Sequence, residues 1–324
     1  MLNRTGLPNE TSNGTRACDI DERARRAFAG LPARRPIALV DLVETKTDEE
    51  RATFVEHATR IAKEFGGRRV LANEALAPMI IPDASASAAD HATGLLVVTR
   101  YPSPEAGRRA LAARHAAGSD FRDETLRTFA VRPAGPIEAL VQRHLPRLRG
   151  RLERPSRPDE AQSVDALIEA ARILGSAPGS GRYASVWPEL LERADARPLY
   201  MLNFLTFVER ADYGAPASAD DEGARAAEVP PPTVSGARVY ERYGHGMIGT
   251  LGAVGGRIGW SGRSIQQVAG ADDGHWDQIV LAVYPSPAAM MTMLSMPRYR
   301  SAHVHREAAL ARTRLLATRP IETL

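Results

Sequence analysis

Short apolar runs and stretches of three- and four-residue periodicity alternate along this chain. Leu199-Tyr200-Met201-Leu202-Asn203-Phe204-Leu205 is rich in strand formers and predicts a strand. A helix is predicted next, because Tyr240, Tyr243, Met247, Leu251 and Val254 recur at three- and four-residue steps. Gly255-Gly256 stops it as a left-handed C-terminal cap would. Arg257 to Val268 and Trp276 to Tyr284 read as two further strands. Pro285-Ser286-Pro287 opens a second helix, since Ser is a good N-cap and Pro suits the first turn. That helix is interrupted at Pro297 and resumes through Tyr299 to about Arg312, and Leu315 to Pro320 makes a last strand.

The same order of elements starts earlier, at Ile37-Ala38-Leu39-Val40-Asp41-Leu42-Val43, and runs to Val131. Tyr101-Pro102-Ser103-Pro104 answers Tyr284-Pro285-Ser286-Pro287, and Gly66-Gly67-Arg68 answers Gly255-Gly256-Arg257. Asp120-Phe121-Arg122 and Arg298-Tyr299-Arg300 follow, and Arg132-Pro133 and Arg319-Pro320 close the two copies. Four anchors in one order predict an internal repeat. Each copy reads β-α-β-β-α-β, the ferredoxin-like split unit. One such unit covers its sheet on one face only, so two in a chain can pack sheet against sheet.

The predicted class is therefore α+β: a flexible N-terminal arm (1–35), a first unit (36–135), a partly helical connector (136–196) and a second unit (197–324). Within the connector, Ile137–Leu148 and Val164–Leu174 read as helices. Ala211 to Ser235 is a long irregular stretch, to be read as a lid or as disorder.

Composition narrows the function classes. Of 324 residues, 44% are hydrophobic and 25% charged, as in an ordinary globular protein, and 42 Lys+Arg against 39 Asp+Glu give no reason to expect nucleic acid or an anionic membrane as partner. Cys18 is the single cysteine, so no intrachain disulfide is expected. No apolar run of signal-peptide or membrane-spanning length is present, and a cytoplasmic setting is expected. Gly252-Ala253-Val254-Gly255-Gly256 fails as a dinucleotide fingerprint and no phosphate-binding loop ends in Lys-Ser/Thr, which removes Rossmann and NTPase readings.

The strand ending in Tyr284-Pro285-Ser286, the helix with Pro297-Arg298-Tyr299 and the following His305-Arg306 resemble the dimeric α/β-barrel superfamily. Within it they are most similar to a family of uncharacterised function related to antibiotic-biosynthesis monooxygenases and muconolactone-type isomerases. The resemblance covers Leu199 to Thr323 well and the first copy in outline. It implies an internal barrel and, for the reaction, oxidation or oxygenation of an electron-rich metabolite, with isomerisation second.

Comparing the copies points to the second as the functional one. Arg51 stands opposite Tyr240, Phe54 opposite Tyr243, Leu71 opposite Trp260 and Asp41 opposite Asn203. Tyr299, His303, Arg306 and Leu310 fall on one helical stripe. The candidate catalytic residues are His303, Arg306 and His245; the candidate substrate-binding residues are Asn203, Tyr240, Tyr243, Trp260, Arg263 and Tyr299. Arg306 would hold an oxyanion that Asn203 orients, while His303 or His245 moves a proton near neutral pH.

The reading is a cofactor-free small-molecule enzyme of secondary metabolism acting on an aromatic or heterocyclic substrate. Two alternatives stay open: a non-catalytic binder, and a metal- or haem-dependent oxidoreductase using His245, His275, His303 and His305. No metal site is assigned from spacing, since no His-x-x-x-His or Glu-x-x-His pattern occurs. An internal barrel removes the usual need to dimerise through the sheet, and further homo-oligomerisation is left open.

Overall fold

The structure, a computed structural model, describes residues 20–80, 94–116, 125–153, 197–213, 233–270 and 272–321. The predicted helix Val164–Leu174 and most of the stretch from Ala211 to Ser235 lie outside them.

Eight antiparallel strands close into a barrel in the order β1-β3-β2-β8-β5-β7-β6-β4. They are β1 (Ile37–Val43), β2 (Arg68–Ile80), β3 (Leu95–Tyr101), β4 (Leu126–Pro133), β5 (Leu199–Phe207), β6 (Arg257–Ala269), β7 (Gln278–Tyr284) and β8 (Leu310–Pro320). The helices are α1 (20–28), α2 (Asp48–Glu64), α3 (Pro104–Ala116), α4 (Pro136–Glu153), α5 (Gly236–Ala253), α6 (Pro287–Ser295) and α7 (Pro297–Ala309). Strands β2-β3-β1-β4 form one half of the wall and β6-β7-β5-β8, in the same internal order, form the other. The halves meet along β2–β8 and β4–β6.

Over much of the barrel the strands carry two buried faces, as β1 and β3 do along nearly their whole length. Val40, Leu42, Leu96, Val98, Phe129, Leu202, Phe204, Ile279, Leu281 and Leu316 fill the interior. Phe129 and Phe204, from opposite halves, have ring centroids 5.2 Å apart, and Phe204 lies 5.5 Å from Trp276. Burying such side chains contributes roughly 1.5–3 kcal/mol each. The alternate positions pack on helices: Ile37, Leu39 and Tyr101 against α1–α3, and Leu199, Met201, Ala282 and Tyr284 against α5–α7.

Local signals set the helix ends. Thr47 Oγ1 accepts from Glu50 N at 3.1 Å and the Glu50 carboxylate accepts from Thr47 N, a capping box for α2. Ser235 and Ser286 cap α5 and α6, and Gly255 (φ 79°) ends α5 in the left-handed conformation.

Three expectations need correction. The described part of the N-terminal arm is not loose: α1 buries Ile20, Ala24, Ala27 and Phe28, and Arg108 donates to Asp21. Strand β7 starts at Gln278, with Trp276 buried before it beneath the Arg312 guanidinium, 4.3 Å from the ring centroid. Strand β8 starts at Leu310, not Leu315, because Leu310, Arg312 and Thr313 pair with β5; cross-strand hydrogen bonds outweigh the local helical pattern there.

Candidate functional site

On β5, Tyr200, Leu202 and Phe204 point into the barrel, so Asn203 stands on the helix-covered face beside Met201. Its amide nitrogen donates to Met201 O at 3.1 Å. On β7 the same alternation turns Ala282 and Tyr284 toward the helices. Above this patch α5 presents Tyr240 and Tyr243, and α7 presents Tyr299, His303 and Arg306.

The aromatic groups form a chain. Ring centroids lie 5.2 Å apart for Tyr240 and Tyr243, 6.4 Å for Tyr243 and Tyr299, and 5.5 Å for Tyr299 and His303. Tyr243, Tyr284 and Tyr299 are buried, while Tyr240 and His303 are half-buried and make the rim. Arg306 is buried too, and its Nη2 donates to Thr313 Oγ1 at 3.2 Å.

The electrostatics follow from that packing. Burial, with the Arg306 charge behind it, pushes the His303 imidazole down to about 4, so it is neutral near pH 7. Burial also raises Tyr243, which shares a hydrogen bond with Tyr299, and Tyr284, so both stay protonated. Glu307, 3.6 Å from His303 Nδ1, is raised by burial. A fixed cation beside a neutral base and several phenols can hold an anion and accept the proton that makes it.

The N-terminal half is closed at the matching place. Asp41 takes the register position of Asn203, opposite Val97 where Asn203 is opposite Val280. Arg114 Nη1 donates to Asp41 Oδ2 at 2.7 Å, and Thr128 Oγ1 donates to Asp41 Oδ1 at 2.8 Å. Arg114 Nη2 also donates to Thr99 Oγ1 (2.9 Å) and Tyr101 Oη (3.1 Å). In the C-terminal half Ala282 and Leu315 occupy the positions of Thr99 and Thr128.

Of the nine sequence-predicted site residues, six come together: Asn203, Tyr240, Tyr243, Tyr299, His303 and Arg306. Three do not. Trp260 lies on the barrel-interior side with Tyr200 and Leu71, because a bulge between Ile258 and Trp260 inserts one residue and reverses the alternation. Arg263 is exposed on β6, and His245 is exposed on α5, where its carbonyl accepts from Arg149. Leu310 leaves the helical stripe to begin β8. Sequence reasoning missed Tyr284 and Thr313; the strand alternation that placed Asn203 also marks Tyr284.

The remaining histidines are spread out. His305 Nδ1 lies 2.7 Å from Tyr213 Oη, and His275 Nε2 lies 2.9 Å from Asp277 Oδ1 on the surface. Among the described residues, no three His, Cys, Asp or Glu side chains are grouped so as to hold a metal ion. Nor is any helix among them long and apolar enough to cross a membrane.

No family model and no curated protein matches the chain. Among solved structures, it is 30% identical to a protein of unknown function from Rhodopseudomonas palustris, over 42% of this chain and 92% of that one, with a TM-score of 0.34. It is 11% identical to an anthrone oxidase-like protein, over 89% and 92% of the two chains, with a TM-score of 0.45. It is 9% identical to a mutant chlorite dismutase from Candidatus Nitrospira defluvii, over 89% and 93%, with a TM-score of 0.38.

Proposed function

The chain belongs to the family of the Rhodopseudomonas palustris protein, whose function is unknown, and from its own site we propose an enzyme that oxidises or oxygenates a small aromatic or heterocyclic metabolite, without a tightly bound organic cofactor. The proposed architecture is a duplicated ferredoxin-like unit in which the N-terminal copy is structural and the C-terminal copy catalytic. One observation carries this: a buried Arg306 beside a neutral His303 and a tyrosine cluster in one half, against an Asp41–Arg114 ion pair filling the matching place in the other.

In this reading a phenol or enol enters past Tyr240 and His303. His303 takes its proton, the electron pair stays on the substrate oxygen, and Arg306 and Asn203 hold the oxyanion. A depressed imidazole is a weak base in the free protein, but an anion formed beside it stabilises the imidazolium. The electron-rich anion then reacts with O2. For an activated methylene the balance is CH2 + O2 → C=O + H2O, with no outside reductant. Isomerisation would use the same proton abstraction with return at another carbon.

The test is O2 uptake with a panel of hydroxylated aromatics, comparing the wild type with Arg306→Gln. Loss of one oxyanion donor should lower kcat about 100-fold or more while Tm stays within a degree or two. Saturable binding without turnover in the wild type would favour a non-catalytic binder instead. A variant that unfolds would make Arg306 a structural residue.

A further inference from the structure

We propose that one end of the barrel is a second ligand site, built for an aromatic carboxylate. A cavity of about 520 Å3 opens there, on the opposite sheet face from Arg306. That volume is ordinary for a small-molecule site, which is commonly roughly 300–1,000 Å3.

Its lining has two parts. Leu71, Leu281, Tyr200 and Trp260 supply an apolar and aromatic floor belonging to the barrel interior, half-buried at the two rings. Arg257, at the start of β6 on the same face as Trp260, and Arg143 from α4 supply charge, while Arg69 stands opposite Thr99 on the helix-covered face and borders the opening from there. No Asp or Glu is among the described residues that line it. The two guanidinium groups of Arg257 and Arg143 around one concavity repel each other, and the low-dielectric wall focuses their field on whatever enters. An anion relieves that repulsion, and Arg presents a planar fork that matches a carboxylate.

The local backbone is arranged for this. β2 is bulged between Arg69 and Leu71, which turns Leu71 to the interior, and β6 is bulged between Ile258 and Trp260, which puts Trp260 on the same face as Arg257. Without the bulge, alternation would keep Trp260 with Ile258 on the helix-covered face. The floor is fixed by Asn73 Nδ2 donating to Thr318 Oγ1 (3.0 Å), which donates to Tyr200 O (3.0 Å). A planar ring against Trp260 and Tyr200 would place its carboxylate toward the arginines. Strands from both halves line the cavity, so the site exists only when the barrel is closed.

Calorimetric titration of the full chain with 2-naphthoate tests the assignment, with 2-naphthylmethanol and inorganic phosphate as comparison probes. Binding of 2-naphthoate is expected, weakened about tenfold by Arg257→Gln and unchanged in Arg306→Gln. Arg143→Gln, at an exposed helix position, should weaken it in the same sense without threatening the fold. Both comparison probes should bind at least tenfold more weakly than 2-naphthoate. Absence of 2-naphthoate binding, equal binding in both Arg257→Gln and Arg143→Gln, equal binding of either comparison probe, or loss in Arg306→Gln would each overturn it. The last result would place the ligand in the helix-covered cluster instead.

Discussion

Asp41 and Asn203 show how one side-chain atom separates two environments built on the same register position. Asp41 is fully buried, accepts hydrogen bonds from Arg114 and Thr128, and is covered by the Arg114 guanidinium. Neutral Asn203 needs no such counter-charge, so the helices above it carry other groups. Asp41→Ala should destabilise the protein by about 3–5 kcal/mol, since Arg114 is left as a buried charge without its carboxylate; chemical denaturation would measure this. His303 gives a pH signature. Its folded value lies near 4, below the ordinary 6.5, so between those values the unfolded chain binds the proton and the folded one does not. Its contribution to stability is therefore fully present above pH 6.5 and is lost as pH falls toward 4. Thermal melts across that window should show a shallower decline in His303→Gln than in the wild type.

Helix α5 is where element-scale packing decides what mutations do. It carries Gly244, Gly246, Gly249 and Gly252, a poor composition for an isolated helix. Two of these permit close approach. A Cβ on Gly252 would lie 1.6 Å from Pro146 O of α4, and one on Gly246 would lie 2.6 Å from Ala302 Cβ of α7. At Gly244 a Cβ would meet nothing within 4 Å. Gly252→Ala should thus cost about 1–3 kcal/mol by forcing α4 away, whereas Gly244→Ala should stabilise by about 0.5–1 kcal/mol. Opposite signs for one chemical change, read from denaturation midpoints, would confirm that α5 is set by its neighbours. Because α5 carries Tyr240 and Tyr243 and α7 carries Tyr299 and Arg306, the close approach of Gly246 to Ala302 also sets the spacing of the two helices at the candidate site.

At the scale of the whole molecule, closing the barrel covers the strands on an inner and, over much of their length, an outer face, and the chain puts a different chemistry on each. The inner face is apolar to its core and turns aromatic and basic at one end; the outer face of the C-terminal half carries the tyrosine cluster. Periodicities of two and of three to four residues, Ser at helix starts, Gly255 at a helix end and Pro297 at a break are local signals, and each acts within a few residues. For that reason the order of strands and helices and the stripe from Tyr299 to Arg306 were legible in the amino-acid sequence. Alternation says which residues share a face, but not what that face meets, and a single bulged residue exchanges the faces. Trp260 went to the barrel interior through such a bulge, Leu310 joined a strand because β5 offered it hydrogen bonds, and His245 and Arg263 were left on the surface. Those outcomes depend on partners far away in the chain, whose positions only the closed barrel decides.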